Sequence, residues 1–341
     1  MAKKSRKKAV AKRKKKSLLA TRKIGVLHTG SEGVFKDLVE AMRQAAVYPQ
    51  NPVVIKKDGQ IDGHYAEDDI GKLEDDADEL VNDASVEVIV AAGGPQSAIA
   101  AMEAAEEAGL KKRIVFTTVV DPVGLGLVDD LEFPGRHLTG TAGKTSETDP
   151  ERLTLLHKYI SGGAGSTYGV LINPGRQNNR NQYKPLVARA KKLKIKLVRA
   201  RASSSKGIKR AFKSLRDKNV IGVVVTADSL FNNNRTEVID AAAITGLPTI
   251  YQWRQFVEDG GLISYGPKIQ DAYIKAGEYV KAILKGGDPA DMVCWTPDPD
   301  KKGDFELVVN SETAKALKLG VVPGTIDGKD VESYPPASTS P

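Results

Sequence analysis

The sequence predicts an α/β protein of two lobes, each a parallel sheet covered by helices, and three observations carry that expectation. The first is the stretch VIVAAGGPQSAIAAMEAAEEAGLKKRIVFTTVVDPVGLGLVDDL, Val88 to Leu131. An apolar run, Val88 to Ala92, breaks at Gly93 and Gly94, and a helix with alanine on its inner face follows. A second apolar run, Ile114 to Val120, then ends at Asp121 and Pro122. Strand, glycine turn, helix and strand make one parallel βαβ unit. The second observation is repetition: the strand and helix alternation of residues 24 to 131 starts over after residue 167. The third is size, since 341 residues at 40% hydrophobic content exceed one typical domain and suffice for two cores.

In chain order, Ile24 to His28 is a short apolar strand running into Thr29, Gly30, Ser31 and Glu32. A helix through Phe35, Leu38, Val39 and Met42 follows, with Ser31 placed to cap it. A second strand is expected at Pro52 to Lys56, then a loop carrying GHYAEDD and an acidic helix from about Asp68 to Asp83. After the βαβ unit, PGRHLTGTAGKT has clustered Gly, Thr and Lys without periodicity and reads as a crossing segment. The second lobe then runs as helix Asp149 to Ile160, strand Tyr168 to Ile172, helix Lys184 to Leu193, and strand Lys196 to Ala200. A helix with Ile208, Phe212 and Leu215 and a strand Val220 to Thr226 complete its repeat. Helix Arg235 to Thr245, strand Leu247 to Tyr251 and helix Ile269 to Leu284 come next; strand FELVVN and helix SETAKALKLG close the body. The polar, proline-bearing end, residues 327–341, is expected to be a flexible C-terminal tail.

Charge is unevenly spread. Twelve of the 51 basic residues fall in residues 1–23, which hold no acid, so 39 bases face 43 acids in the rest. The body is mildly acidic, which argues against a nucleic-acid surface outside the tail. Residues 1–23 are expected to be a disordered polybasic tail. It is either a solvated segment or a site of non-specific, salt-dependent contact with polyanions such as RNA, DNA or anionic lipid. Cys294 is the only cysteine, which excludes an internal disulfide.

Several segments, in order, resemble the ABC-transporter substrate-binding protein family of type 1 periplasmic-binding fold, related to tryptophan- and other aromatic-amino-acid-binding members. They are VIVAAGGPQSAIAA, VVDPVGLGLV, PGRHLTG, GVLINP, LPTIYQWRQFVEDGGLISYGP, YVKAILKGGDPAD and FELVVNSETAKALKLGVVP, within residues 24 to 326. The resemblance implies two αβα lobes with parallel sheets, joined by three hinge crossings near Thr139 to Ala142, Ser264 to Pro267 and Thr296. Lobe 1 is expected at 24–141 plus 266–292, and lobe 2 at 142–265 plus 293–326. It also implies a solute-binding protein of an ABC-type importer. Such a protein captures a small, amino-acid-like molecule in an interlobe cleft by hinge closure and presents it to a permease. Members of the family are periplasmic or extracellular. This sequence offers only Leu18, Leu19 and Ala20 after its lysines, short of a secretory core, and no lipoprotein cysteine, so as it stands it reads as cytoplasmic. The alternative is a cytosolic small-molecule sensor tethered to nucleic acid or membrane by the basic tail.

For an amino-acid ligand, the carboxylate needs N–H and hydroxyl donors and the ammonium needs a carboxylate. Gly93, Gly94, Gln96 and Ser97, at a strand end and helix N-terminus, suit the carboxylate, or form a tight turn whose glycines only relieve crowding. Asp228 stands where the resembled family shows an aspartate after the corresponding strand, which implies the ammonium site; capping the next helix is the other reading. Thr29, Ser31, Thr118, Asp121, Asn173 and Tyr265 fall at strand ends or crossings, although Asp121 and Asn173 each precede proline and suit a turn. Tyr65, Tyr251 and Trp253 are placed to stack on an aromatic ligand or to fill core. Asn178, Asn179, Asn181 and Gln182 line a cleft or a solvated loop.

No catalytic set is recognisable, and an enzyme is not expected. GTAGKT, Gly140 to Thr145, lacks the phosphate-loop glycine five positions before Gly143, where Leu138 stands. DPDKKGD, Asp298 to Asp304, fails as a calcium loop because Lys302 and Val309 occupy ligand positions. His28, His64, His137 and His157 have no metal-ligand spacing, no GxSxG elbow occurs, and no cofactor is expected.

Overall fold

The structure is a computed structural model and describes residues 23–46, 61–67, 69–143, 147–174 and 179–335. The chain divides into two compact units, Met1–Gly143 with Ile269–Thr296, and Lys144–Lys268 with Pro297–Pro341. Each crossing falls a few residues later than expected. For the third the cause is visible: Trp295 N–H donates to the Gly140 carbonyl and Ala142 N–H to the Trp295 carbonyl, so residues up to Thr296 stay on the first unit's sheet. The polybasic tail up to residue 22 and the strand expected at Pro52 to Lys56 lie outside the described residues.

The first unit is built on a five-stranded parallel sheet, order β2-β1-β3-β4-β5. Its strands are β1 Lys23–His28, β2 Ile61–Tyr65, β3 Val86–Ala92, β4 Arg113–Val119 and β5 Leu138–Ala142. Strands β1, β3 and β5 are buried along nearly their whole length, as expected where helices cover both faces of a parallel sheet. Strand β2 corrects the expected loop. Gly63, His64 and Tyr65 of GHYAEDD pair with β1, and a short edge strand containing Asp and Gly carries no periodicity to announce it. Among the described residues, the α-helices of the unit are α1 Glu32–Ala46, α2 Ile70–Asn82, α3 Pro95–Glu107 and, returning from the second unit, α10 Ile269–Leu284. Helix α2 starts where the Asp69 side chain accepts from the Lys72 N–H. Alanines 98, 101 and 105 of α3 are fully buried, so the βαβ helix lies close on its sheet. Gly277 serves α10 in the same way, since a Cβ there would sit 2.2 Å from the Met42 carbonyl oxygen of α1.

The second unit has a seven-stranded sheet, order β14-β11-β10-β9-β8-β6-β7. Its strands are β6 Thr167–Ile172, β7 Lys196–Arg201, β8 Gly222–Val225, β9 Thr249–Tyr251, β10 Ile263–Pro267, β11 Phe305–Asn310 and β14 Glu332–Tyr334. All neighbouring pairs are parallel except β10 with β11. The helices are α4 Asp149–Tyr159, α5 Asn179–Leu193, α6 Ser205–Asp217, α7 Ser229–Asn233, α8 Arg235–Thr245, α9 Arg254–Glu258 and α11 Ser311–Ala316. A fully buried ion pair sits in the first turn of α4, where Arg152 bonds Asp149 and also donates to Thr148 Oγ1 at 2.8 Å and the Tyr265 carbonyl at 3.0 Å. Burial pushes the Asp149 carboxyl up to about 6, with Arg152 opposing the shift.

Residues 327–335 correct the expectation of a flexible tail, while 336–341 lie outside the described residues. A two-stranded hairpin, β12 Thr325–Ile326 with β13 Lys329–Asp330, leads into β14, which pairs in parallel with β11. Strand β14 satisfies the backbone edge of β11, and Arg254 fastens it by bonding Glu332 at 2.7 Å and Glu306 at 3.1 Å. Among the described residues no helix is long and apolar enough to cross a membrane.

Candidate functional site

In the first unit, the carboxyl ends of β1, β3 and β4 gather the sequence-predicted residues. Gly93 and Gly94 follow β3 with φ of 85° and 126°, a region that glycine enters without strain. A Cβ at Gly93 would lie 2.4 Å from Thr29 Oγ1 and 2.6 Å from the His28 ring. The turn is therefore closed to any side chain. Helix α3 then opens on Gly94 with no side-chain cap and with Pro95 in its first turn. Its early N–H groups form a donor set facing out of a helix N-terminus, which favours an anion.

The hydroxyls around that turn hold it. Thr29 Oγ1 donates to the Gly93 carbonyl at 3.0 Å, and fully buried Ser97 Oγ lies 2.8 Å from the Ala92 carbonyl and 2.9 Å from that of Gly94. Ser31 and Gln96 are half-buried beside them. At the end of β4, Thr118 has φ of 53°, uncommon for a β-branched residue, and its N–H donates to Thr141 Oγ1 at 3.0 Å. The β4 and β5 register shifts between Phe116 and Val119, so this bulge re-aims the strand end. Asp121 takes its turn role: it is exposed, and its Oδ1 accepts from the Gly124 N–H at 2.9 Å.

Sequence reasoning missed what lies beneath this surface. His28 is fully buried. Its Nδ1 accepts the Gly30 N–H at 2.9 Å and its Nε2 lies 3.2 Å from the Tyr273 hydroxyl. Burial pulls the imidazole down to about 3. Burial also raises the Tyr273 hydroxyl, partly offset by the Thr117 hydroxyl and the Gly93 backbone that face it. The Tyr65 ring stacks on His28 with centroids 5.8 Å apart, and burial and the Glu32 carboxylate raise its hydroxyl. The one signal in the sequence is a histidine that ends an apolar strand directly before a small polar turn.

In the second unit, Asp228 follows β8 and is 4% exposed. Its side chain caps α7 by accepting from the Leu230 N–H at 2.9 Å and also accepts from Asn173 Nδ2 at 3.1 Å, which joins the ends of β6 and β8. Two further residues belong to this end: Gln252, found only in the structure, and Trp253, which the sequence offered for stacking or for core. Gln252 is fully buried and bonds Asn232, while its Oε1 and the Trp253 Nε1 have no hydrogen-bond partner among the described residues. Such buried polar atoms are costly unless something satisfies them. Tyr265, expected at a crossing, is 4% exposed. Its ring belongs to the second unit's core, 5.7 Å from that of Phe305 and covered by Lys329 at 5.0 Å. Tyr251 is core as well, stacked on Phe256. Asn178, and the side chains of Asn179, Asn181 and Gln182, lie outside the described residues.

One group among the described residues offers metal-ligand atoms, His64, Asp76 and Glu79, brought together by β2 and α2 rather than by sequence spacing. The His64 and Asp76 side chains are hydrogen-bonded at 3.0 Å, and Glu79 is exposed.

Residues 26–323 match the family described as ABC transporter substrate binding protein. The chain is 30% identical over 266 residues to the tyrosine-binding protein of Clostridioides difficile (strain R20291), covering 77% of this chain and 72% of that one. Among solved structures, a conserved domain protein from Vibrio cholerae superimposes with a TM-score of 0.76 at 24% identity, over 89% of this chain and 97% of the other. An ABC domain in complex with L-Trp from Streptococcus pneumonia gives a TM-score of 0.73 at 21% identity, over 88% and 96% of the two chains. These two show the same fold of parallel-sheet α/β units. With the family match spanning both units, the chain belongs to the ABC transporter substrate binding protein family.

Proposed function

We propose that the chain binds an α-amino acid with an aromatic side chain for an ABC importer and performs no chemistry on it. The observation that carries this is the start of α3: two positive-φ glycines, no capping side chain and a helix N-terminus, an arrangement that favours a carboxylate. The N–H groups of Gly94, Gln96 and Ser97 would hold the ligand carboxylate, with Thr29, Ser31 and Thr118 shaping the strand ends around it. Asp228, supported by Asn173, would take the ammonium, and Gln252 and Trp253 would meet the polar or aromatic end of the side chain. The relatives named for tyrosine and for L-Trp support this ligand class.

Calorimetric titration of the full chain tests it, using L-tyrosine, L-tryptophan, tyramine, 3-(4-hydroxyphenyl)propionate and D-glucose. The expected result is binding of one or both amino acids and at least tenfold weaker binding of the analogues lacking carboxylate or ammonium, since tyramine leaves the helix N–H donors without an acceptor and the propionate leaves the Asp228 carboxylate without its cation. Asp228→Asn should weaken the amino acid more than it weakens the propionate. Binding of glucose with no response to either amino acid would overturn the assignment.

A further inference from the structure

We propose that His28 is a positioning residue: a buried neutral imidazole, protonated on Nε2, that sets the Gly30 N–H and the Gly93 turn in the arrangement that receives ligand. This rests on the reading above that the first unit's strand ends contact the ligand.

One ring reaches four elements. Nδ1 accepts from Gly30 after β1, Nε2 meets Tyr273 on α10, the face stacks on Tyr65 of β2, and Cε1 lies against Gly93 after β3. A neutral imidazole has one donor and one acceptor nitrogen. Because Nδ1 accepts a backbone N–H, the proton is on Nε2 and is given to the Tyr273 oxygen. The tautomer is therefore set by contacts at both edges. Around the ring, the His28 carbonyl accepts from the Ala66 N–H at 2.9 Å and Thr29 Oγ1 holds the Gly93 carbonyl, so movement of the imidazole would move the ends of β1, β2 and β3 together.

A phenylalanine of similar shape would fill the space and leave the Gly30 N–H without its acceptor. Ser97, Thr117, Thr139 and Thr141 are fully buried in the first unit as well, but His28 is its one fully buried imidazole among the described residues, and burying a polar ring costs free energy that its two edge contacts offset. The low value of the imidazole agrees with a ring that stays neutral at every physiological pH.

The two edges of the ring can be separated. Asparagine places an amide oxygen near the Nδ1 position and can still accept from Gly30, but it does not reach Tyr273. Glutamine reaches Tyr273 and leaves Gly30 without an acceptor. In the full chain, His28→Asn should keep the dissociation constant for L-tyrosine or L-tryptophan within threefold, although its melting point falls. His28→Gln and His28→Phe should fold, by circular dichroism, and weaken binding at least tenfold. A purely structural role predicts instead that affinity follows melting point in all three. Two further readouts need no ligand. Long-range ¹H–¹⁵N spectra should show the Nε2-protonated tautomer, and exchange of the Gly30 amide should be slow in the native chain and His28→Asn but fast in His28→Gln. An Nδ1-protonated ring, equal Gly30 exchange in all forms, or native affinity in His28→Gln would overturn the proposal. If the native chain binds neither amino acid, the ligand assignment fails, and the tautomer and amide exchange still decide whether His28 holds Gly30.

Discussion

Lowering the pH from 7 to 5 should destabilise the first unit through His28 alone by about 2 kcal/mol. The imidazole is fully buried and its value falls from 6.5 to about 3 on folding. The unfolded chain therefore takes up a proton at this position as pH drops below 6.5, while the folded chain does not. Stability is fully present above the unfolded value and is lost as pH falls toward the folded one. Between pH 7 and pH 5 the unfolded state gains about 1.5 units of proton-binding free energy at 1.36 kcal/mol each. Tyr273 from α10 and Tyr65 from β2 face the ring, Thr117 of β4 faces the Tyr273 hydroxyl, and the Glu32 carboxylate acts on Tyr65. None of the first three titrates in this range. The assay is urea unfolding at the two pH values for the native chain and for His28→Asn, whose side chain does not titrate. Carboxylate effects common to both cancel in the difference. Trp295 lies in the first unit and Trp253 in the second, so Trp253→Phe in both proteins leaves fluorescence that reports the first unit. Parallel pH dependence in native and His28→Asn chains would refute the assignment of a neutral buried imidazole.

Three other outcomes are expected. Gly277→Ala forces a methyl against the Met42 carbonyl of α1 and should cost about 1 to 3 kcal/mol in urea unfolding of the first unit, despite alanine's better helix propensity. Arg152→Met strips the buried Asp149 carboxylate of its partner and should cost the second unit about 3 to 5 kcal/mol near pH 8. That loss should shrink toward pH 5 as the carboxyl, already raised to about 6, takes up a proton, a trend that thermal melts across this range would read. Deleting residues 328–341 removes β14 and the Arg254 to Glu332 pair, and should lower stability by about 2 kcal/mol rather than leave it unchanged, as trimming a loose tail would.

Much of the fold was legible because the central strands are buried on both faces and so read as continuous apolar runs. The helices between them repeat their apolar positions at helical spacing. Helix Ile269–Leu284 and strand Phe305–Asn310 appear in the structure with the limits expected from the sequence, and the Val88 to Leu131 stretch folds as one βαβ unit. Edge elements were not legible. Strands β2 and β14 carry Asp, Gly, Glu and Ser, and they are strands because a neighbour's unpaired backbone lies alongside, a fact with no local signature.

The same division holds at the candidate site. Sequence alone determined that Gly93 and Gly94 end a strand and open a helix, because glycine pairs and apolar runs are local chemistry. It also left Asp121 and Asp228 each between two roles, and the structure shows the turn and the cap in use. Tertiary structure decided the rest. It placed Tyr265 in the core, set the buried Gln252 beside Asn232, and brought His28 and Tyr273, 245 residues apart, edge to edge. Turns and periods are written in neighbouring residues. The burial, tautomer and partners of a polar side chain depend on which distant elements pack against it, and only the folded chain supplies those.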